Sequence, residues 1–232
     1  MKEKKAVGFV GAHMDDIELA ASGTVQRVTQ NGYEAVVLVI SVDPRRVEAN
    51  KRSAELLGYT LVLGDISENE ITIEKVQPIV YEKLTRPYGP RLEMVFLHLP
   101  EDYNHHHRFV SIGSISACRG VKNILYFAGP GGLPYLRPQV FVPFGEEEMK
   151  KKMEAVKLLE KAYHPTGEKI ARYFTEEHTK GLAAFLGQWD FEFEREKTPQ
   201  VSLFGQDQLP YAEVFQVERL RLAFEGGKTV LF

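Results

Sequence analysis

The sequence predicts an open α/β sheet, mostly parallel, with helices on both faces. Three observations predict it. Short continuous apolar runs rich in Val and Ile recur along the chain, as in strands buried on both faces. Segments of helical periodicity lie between them. At 232 residues one fold buries roughly 70–75% of the unfolded surface, so the core needs neither disulfide nor structural metal. A single domain over 1–232 is expected.

The first run, AVGFVG from Ala6 to Gly11, predicts a buried strand. Ile17, Leu19, Ala20, Gly23, Val25, Val28 and Thr29 then recur at helical spacing, and Asn31-Gly32 supplies a stop. A strand from Ala35 to Val42 completes one strand-helix-strand unit. The alternation repeats with a helix near Arg46 to Leu57 closed by Gly58, a strand from Thr60 to Leu63, and a helix near Ile73 to Leu84. Glu93 to Leu99 and Asn123 to Phe127 read as strands, separated by a helix from about His107 to Ala117. From Gly145 to Tyr163, Met149, Met153, Val156, Leu159 and Tyr163 form an apolar stripe opposite Lys150, Lys151 and Lys157. A weaker helix is expected from Glu168 to Leu186, turns at Pro165, Gly167 and Gln206 to Pro210, and short strands around Tyr211 to Val217 and Leu222 to Phe232.

Lys+Arg 29 against Asp+Glu 32 leaves a net charge of −3 with no basic stripe, which argues against a nucleic-acid binder that neutralises phosphates. With Cys118 alone there is no intramolecular disulfide and no Cys-based zinc cluster. That suits a reducing cytoplasm, the expected location, and restricts any metal site to His and carboxylate ligands. The run from Ala35 to Val42 is far short of the ~20 residues of a membrane-spanning helix. The N-terminal apolar run stops at His13 and Asp15 before it could form a signal-peptide core. No membrane partner is expected, and a homo-oligomer stays open.

Two clusters carry the chemistry. His13-Met14-Asp15-Asp16 stands where the first strand ends and the first helix begins, at the carboxyl edge where open sheets bind ligands. One Asp could simply cap the helix, but that explains one carboxylate and not two beside a His. An imidazole and a carboxylate on a tight turn can reach one divalent cation and leave the adjacent carboxylate to handle a proton. The second cluster, Glu101-Asp102-Tyr103-Asn104-His105-His106-His107, follows the strand ending near Leu99. By itself it reads as a polar loop with a chance His run. Its position on the same sheet edge would let His13, Asp16 and one His of the triplet form a two-His, one-carboxylate site with an open position. Such a set suits Zn²⁺ and also Fe(II).

GAHMDDIELAASGT, Gly11 to Thr24, resembles the His-Pro-Asp-Asp signature of the PIG-L family of zinc-dependent N-deacetylases, the LmbE-like proteins. Asp102 to Arg108 resembles that family's later Asp-x-(His or Asn)-x-Asp-His motif. Arg45 to Gly58 is similar to its Arg-x-x-Glu helix ending in Leu-Gly, and Tyr211-Ala212-Glu213-Val214-Phe215 to its C-terminal Tyr-Ala-Glu-x-Phe. The segments occur in family order. The resemblance implies a Rossmann-like sheet, zinc held by His13, Asp16 and His107, and Asp15 as general base to a metal-bound hydroxide. It implies removal of acetyl from an N-acetylglucosamine-type conjugate, a small-molecule partner, with Arg45 near the substrate. On a helix Asn104 and His107 also share a face at i, i+3, which separately favours His107 within the triplet.

The chain departs from the family at two places. Met14 replaces a Pro that would preset the turn. His106 stands where the family has Asp, as a replacement general acid or as an impairment. Asn104 occupies a position that is His in part of the family and Asn in another part, and is a candidate substrate contact. His106 and the unusual His triplet motivate an alternative: a weakened or inactive relative that binds a sugar or nucleotide. A dinucleotide-dependent oxidoreductase lacks its Gly-x-Gly-x-x-Gly, and Gly129-Pro130-Gly131-Gly132 has no following Gly-Lys-Ser/Thr and reads as a rim loop. His98 reads as a core or edge residue, His164 and His178 as surface, Trp189, Phe191 and Phe193 as packing, and Cys118 as a buried thiol.

Overall fold

In the computed structural model, residues 3–129, 131–163, 175–189, 201–203, 209–225 and 228–231 are described. The expected turns at Pro165, Gly167 and Gln206, together with His164, Phe191, Phe193, the side chain of Trp189 and the start of the Glu168 helix, lie outside them.

β1 (Ala6–Gly11) and β2 (Glu34–Ser41) pair in parallel with Val7 opposite Ala35. β3 (Thr60–Ile66) adds to the far side of β2, and β4 (Leu92–His98) pairs with the free side of β1. β5 (Asn123–Phe127) follows β4, again in parallel. The chain thus winds outward from β1 in one direction, returns, and winds outward in the other. The carboxyl ends of β1 and β4 lie side by side at the reversal, where a crevice opens. Beyond β5 the sheet turns mixed: β8 (Tyr211–Arg219) pairs antiparallel with both β5 and β6 (Val140–Phe144), and β7 (Val201–Ser202) pairs with β6. Among the described residues the order is β3-β2-β1-β4-β5-β8-β6-β7, with β9 (Leu222–Glu225) and β10 (Lys228–Leu231) as a separate hairpin.

Helices cover both faces. On one side α1 (Asp16–Ala20), α2 (Ser22–Gln30), α3 (Val47–Leu57) and α7 (Glu146–Tyr163) enclose a core with Phe9, Met14, Ile17, Val25, Val37 and Phe96. On the other, α4 (Ile73–Val80) and α6 (His105–Ala117) enclose Val10, Leu38, Val76, Val95 and Val110. Phe9 and Phe96, opposite each other on β1 and β4, stack at 4.7 Å and tie the two central strands together beneath the crevice. α8 (Glu176–Trp189) packs on β8.

Several elements differ from expectation for identifiable reasons. The helix expected from Ile17 to Thr29 breaks at Ala21, whose φ is −142°. Ser22 Oγ donates to Glu18 O at 2.8 Å, and the Glu213 carboxylate accepts the N–H groups of Gly23 and Thr24 at 2.9 and 2.7 Å, so α2 starts anew at a side chain from β8. Gly23 allows the close approach this needs, because a Cβ there would sit 2.6 Å from the Phe144 ring. α4 carries Pro78, which donates no N–H; the chain runs on as a π turn over Tyr81–Thr85 and the short α5 (Arg86–Tyr88). α6 begins at His105, two residues earlier than expected, since Asn104 Oδ1 accepts from His106 N at 2.9 Å as its N-cap. β6 was not anticipated, because Pro143 within its five residues demotes the run.

Candidate functional site

The two loops that follow β1 and β4 meet at the crevice. His13 N donates to Asp16 Oδ2 at 2.7 Å, folding the His13 to Asp16 turn back on itself. Met14 is buried in the core and its carbonyl accepts from Asn50 Nδ2 at 3.2 Å, so α3 and packing hold the turn where Pro would have preset it. Behind it the buried Glu18 carboxylate accepts from Ser53 Oγ and Tyr59 Oη, both at 2.7 Å. Burial pushes the Glu18 carboxyl above its ordinary value. From the other loop, α6 delivers His107 from its first turn.

His13 Nδ1 lies 3.3 Å from His107 Nε2 and 3.6 Å from Asp16 Oδ2, and His107 Nε2 lies 3.2 Å from Asp16 Oδ1. Three ligands ~2.1 Å from one tetrahedral ion stand ~3.4 Å apart, so this donor set has the spacing of a zinc site. The electrostatics agree. Burial alone would raise the Asp16 carboxyl, but His107, His98 and His13 around it hold it well below the usual carboxylate range. Burial opposes a charged His107, yet Asp16 and Asp102 outweigh it and raise the imidazole to about 10. A ring surrounded by carboxylates in this way attracts a cation. The outer support is also built: His107 Nδ1 is 3.1 Å from Asp102 Oδ2, the carboxylate–histidine arrangement that orients metal-binding imidazoles. Gly132 belongs to this support, because a Cβ there would lie 2.7 Å from Asp102 Oδ2; the glycine loop after β5 packs against the site's back wall.

Asp15 is not a helix cap. It stands at the N-cap position of α1 but makes no side-chain capping bond. Burial, and then the negative charge of Asp16, raise its carboxyl to about 7. The Tyr163 hydroxyl hydrogen-bonds to it from the end of α7, and the Arg46 guanidinium lies over the Tyr163 ring at 3.0 Å.

The sequence-predicted residues divide accordingly. His13, Asp15, Asp16 and His107 are brought together. His106 lies beside them, Nδ1 3.1 Å from His13 Nε2, and burial lowers its pKa. Asn104 is adjacent, its amide oxygen engaged as the α6 cap. Arg45 is not brought in: its side chain is 83% exposed and pairs with Asp43 at 2.8 Å. Its neighbour Arg46, turned inward by α3, is the arginine at the site.

His98, read as a core residue, is buried and also meets the site. Its Nε2 is 3.0 Å from Asp16 Oδ2 and 3.1 Å from Ala12 N, and its ring stacks on His107 at 4.0 Å. Burial, with His107 nearby, lowers it to about 4, so it is neutral and its tautomer selects between donating to Asp16 and accepting from Ala12. Only the β1–β4 pairing could have revealed this. Tyr163, Arg46 and Glu68 were missed because they come from the end of α7, the start of α3 and the turn after β3, segments that only the folded chain brings to the crevice. A cavity of about 240 Å³ opens beside the cluster, lined by His13, Met14, Ser41, Asp43, Arg46 and Glu68 among others. Burial pushes the Cys118 thiol up to about 11, as an inert cysteine requires. No helix among the described residues is long and apolar enough to cross a membrane.

No family model matches the sequence. Over 170 residues, 67% of this chain and 90% of the relative, it is 24% identical to the uncharacterized deacetylase YaiS of Escherichia coli K12. Two solved structures are similar across nearly the whole chain. The 4-carboxy-2-hydroxymuconate hydratase of Pseudomonas putida KT2440 matches with a TM-score of 0.71 at 17% identity, covering 95% of this chain and 99% of that one. The N,N'-diacetylchitobiose deacetylase of Pyrococcus horikoshii matches with a TM-score of 0.67 at 16% identity, covering 93% and 84%. With this sheet order and these neighbours, the chain has the LmbE-like fold of the PIG-L-type deacetylases.

Proposed function

We propose that the chain is a metal-dependent N-deacetylase acting on an N-acetylglucosamine-type conjugate. The observation that carries this reading is the donor triad of His13, Asp16 and His107 at 3.2–3.6 Å spacing, with the buried Asp15 on the same turn. The deacetylase names among the relatives support it. Two imidazoles and one carboxylate fit Zn²⁺ and also Fe(II), and zinc is the ion we propose. Such a cation supplies Lewis acidity, polarising the acetamide carbonyl and making water a stronger acid.

The remaining chemistry belongs to the chain. Asp15 accepts a proton from the attacking water and passes it to the leaving nitrogen as the C–N bond breaks, so that acetate and a free amine depart. Tyr163 orients Asp15 by its hydroxyl, and Arg46 fixes the tyrosine ring. Asp102 and His98 hold His107 and Asp16. The Asn104 amide nitrogen is the atom we assign to substrate. His106 turns its Nδ1 to His13 Nε2 at 3.1 Å, and burial lowers its pKa.

Two expected results test this. At one equivalent of zinc, the wild type should retain close to one ion through desalting and release acetate, whereas His107→Ala should lose the ion held at His13, Asp16 and His107 and release no acetate; zinc-independent acetate release would contradict the reading. The arginines should separate: Arg45→Ala leaves kcat/KM within about twofold, and Arg46→Ala lowers it ~10-fold or more. The reverse order would return the substrate contact to Arg45.

The hydratase match favours a second reading, in which the same cluster adds water to an unsaturated acid. It differs in product, because no amine or acetate is formed.

A further inference from the structure

His13 offers donors on both sides of its ring. Its Nδ1 faces Asp16 and His107, while its Nε2 faces a different pair: His106 Nδ1 at 3.1 Å and Glu68 Oε1 at 3.5 Å, themselves 3.6 Å apart. These separations match the ~3.4 Å spacing of ligands around a single zinc ion as well as those of the first triad do. We propose that His13 Nε2, His106 Nδ1 and Glu68 Oε1 form a second zinc site, bridged to the first by the His13 ring. The proposal rests on the first-site reading, which assigns His13 Nδ1 to the first ion.

The donor chemistry selects the ion. Two imidazoles and one carboxylate suit borderline transition ions such as Zn²⁺ and not the oxygen-seeking Mg²⁺ or Ca²⁺. His106, where the family resemblance calls for Asp, supplies the nitrogen. Glu68 comes from the turn after β3, where Ser67 Oγ and N bond Glu70 at 2.7 and 3.0 Å and fix the backbone. Filling the site breaks the His13 Nε2–H bond and forms a nitrogen–zinc bond; the proton goes to solvent, with no oxidation or reduction. Because that proton must leave, and because the Glu68 side chain is 58% exposed, the second ion binds more weakly than the first. Ions on opposite nitrogens of one ring stand farther apart than the ~3.5–4 Å of co-catalytic pairs. The second ion therefore does not join the hydrolysis. It sits at the wall that His13 and Glu68 share in the 240 Å³ cavity.

The test is a zinc titration of the metal-free full chain, with bound ions counted by elemental analysis and released protons followed by indicator dye in weak buffer. The wild type should bind two ions, the second at least ~10-fold more weakly and with added proton release. Glu68→Gln and His106→Leu should each bind one, and Glu68 is exposed enough that its variant tests the site without risk to the fold. A single ion in the wild type, kept in both variants and lost in His107→Ala, would overturn the second site and reduce the His13–His106 contact to a hydrogen bond, leaving the first site standing. A single ion lost in both variants but kept in His107→Ala would instead overturn the first-site reading and support the second. No bound ion in the wild type overturns both.

Discussion

Asp15→Asn is expected to keep its zinc and its fold and to lose turnover by ~10²–10⁴-fold, the contribution of a positioned general base. The substitution preserves shape and hydrogen-bond capacity while removing the ability to take a proton, and Asp15 is not among the donors of the triad. Metal content and acetate release, measured on the same sample, separate the two roles. Stability supplies an independent readout. In the metal-free protein Asp15 titrates at about 7 against an ordinary 3.8, because burial and then Asp16 disfavour its charge. The folded state therefore holds a proton that the unfolded chain has already released, and stability falls as pH rises from about 4 to about 7. Asn removes that loss, so the metal-free variant should melt higher than metal-free wild type at pH 8. A variant with wild-type turnover would remove Asp15 from the proton path.

The second large effect lies away from the crevice. Glu213→Ala is expected to destabilise the protein by about 3–5 kcal/mol, the usual cost of leaving one partner of a buried ion pair alone. Glu213, from β8, accepts from Gly23 N, Thr24 N and Thr24 Oγ1 and pairs with Lys152 Nζ at 2.7 Å; that ammonium also donates to Leu19 O at 2.7 Å. One carboxylate thus ties β8 and α7 to the start of α2 and the end of α1, the helix that carries Asp16. At about 2–4 °C per kcal/mol for a chain of this size, the melting temperature should fall by roughly 6–20 °C. Lys152→Met should cost less, since Glu213 keeps its bonds to α2. Glu213→Gln with Lys152→Met should recover part of the loss by removing the unpaired charge, and strict additivity of the two changes would show that the pair is not coupled.

Both results bear on how much the sequence disclosed. Its apolar runs gave β1, β2, β4 and β5, because strands buried on both faces leave an unbroken Val and Ile signature. The His13 to Asp16 turn was legible because its residues are adjacent and follow a strand. His107 was a candidate through the family motif it matches and through its i, i+3 spacing from Asn104, which the structure places at the N-cap of α6. What stayed hidden depends on contacts between distant segments. Nothing near His98 distinguishes a core histidine from one facing Asp16; only the pairing of β1 with β4 does. Arg45 and Arg46 are equivalent in sequence, and the direction of α3 selects the second. Glu213 was visible as part of a motif, but its purpose required knowing that α2 begins where β8 passes. The break at Ala21 follows from the same contact and has no local signal.

The central claim is that this site hydrolyses an amide. The most direct measurement incubates zinc-loaded protein with a panel of N-acetylated amino sugars and glycoconjugates, alongside unsaturated hydroxy-acids, and quantifies acetate, free amine and hydrated product. Acetate and amine are expected in equal amounts from at least one N-acetylated sugar, abolished by chelation and by Asp15→Asn. Hydration of an unsaturated acid, with no acetate from any sugar, would contradict it.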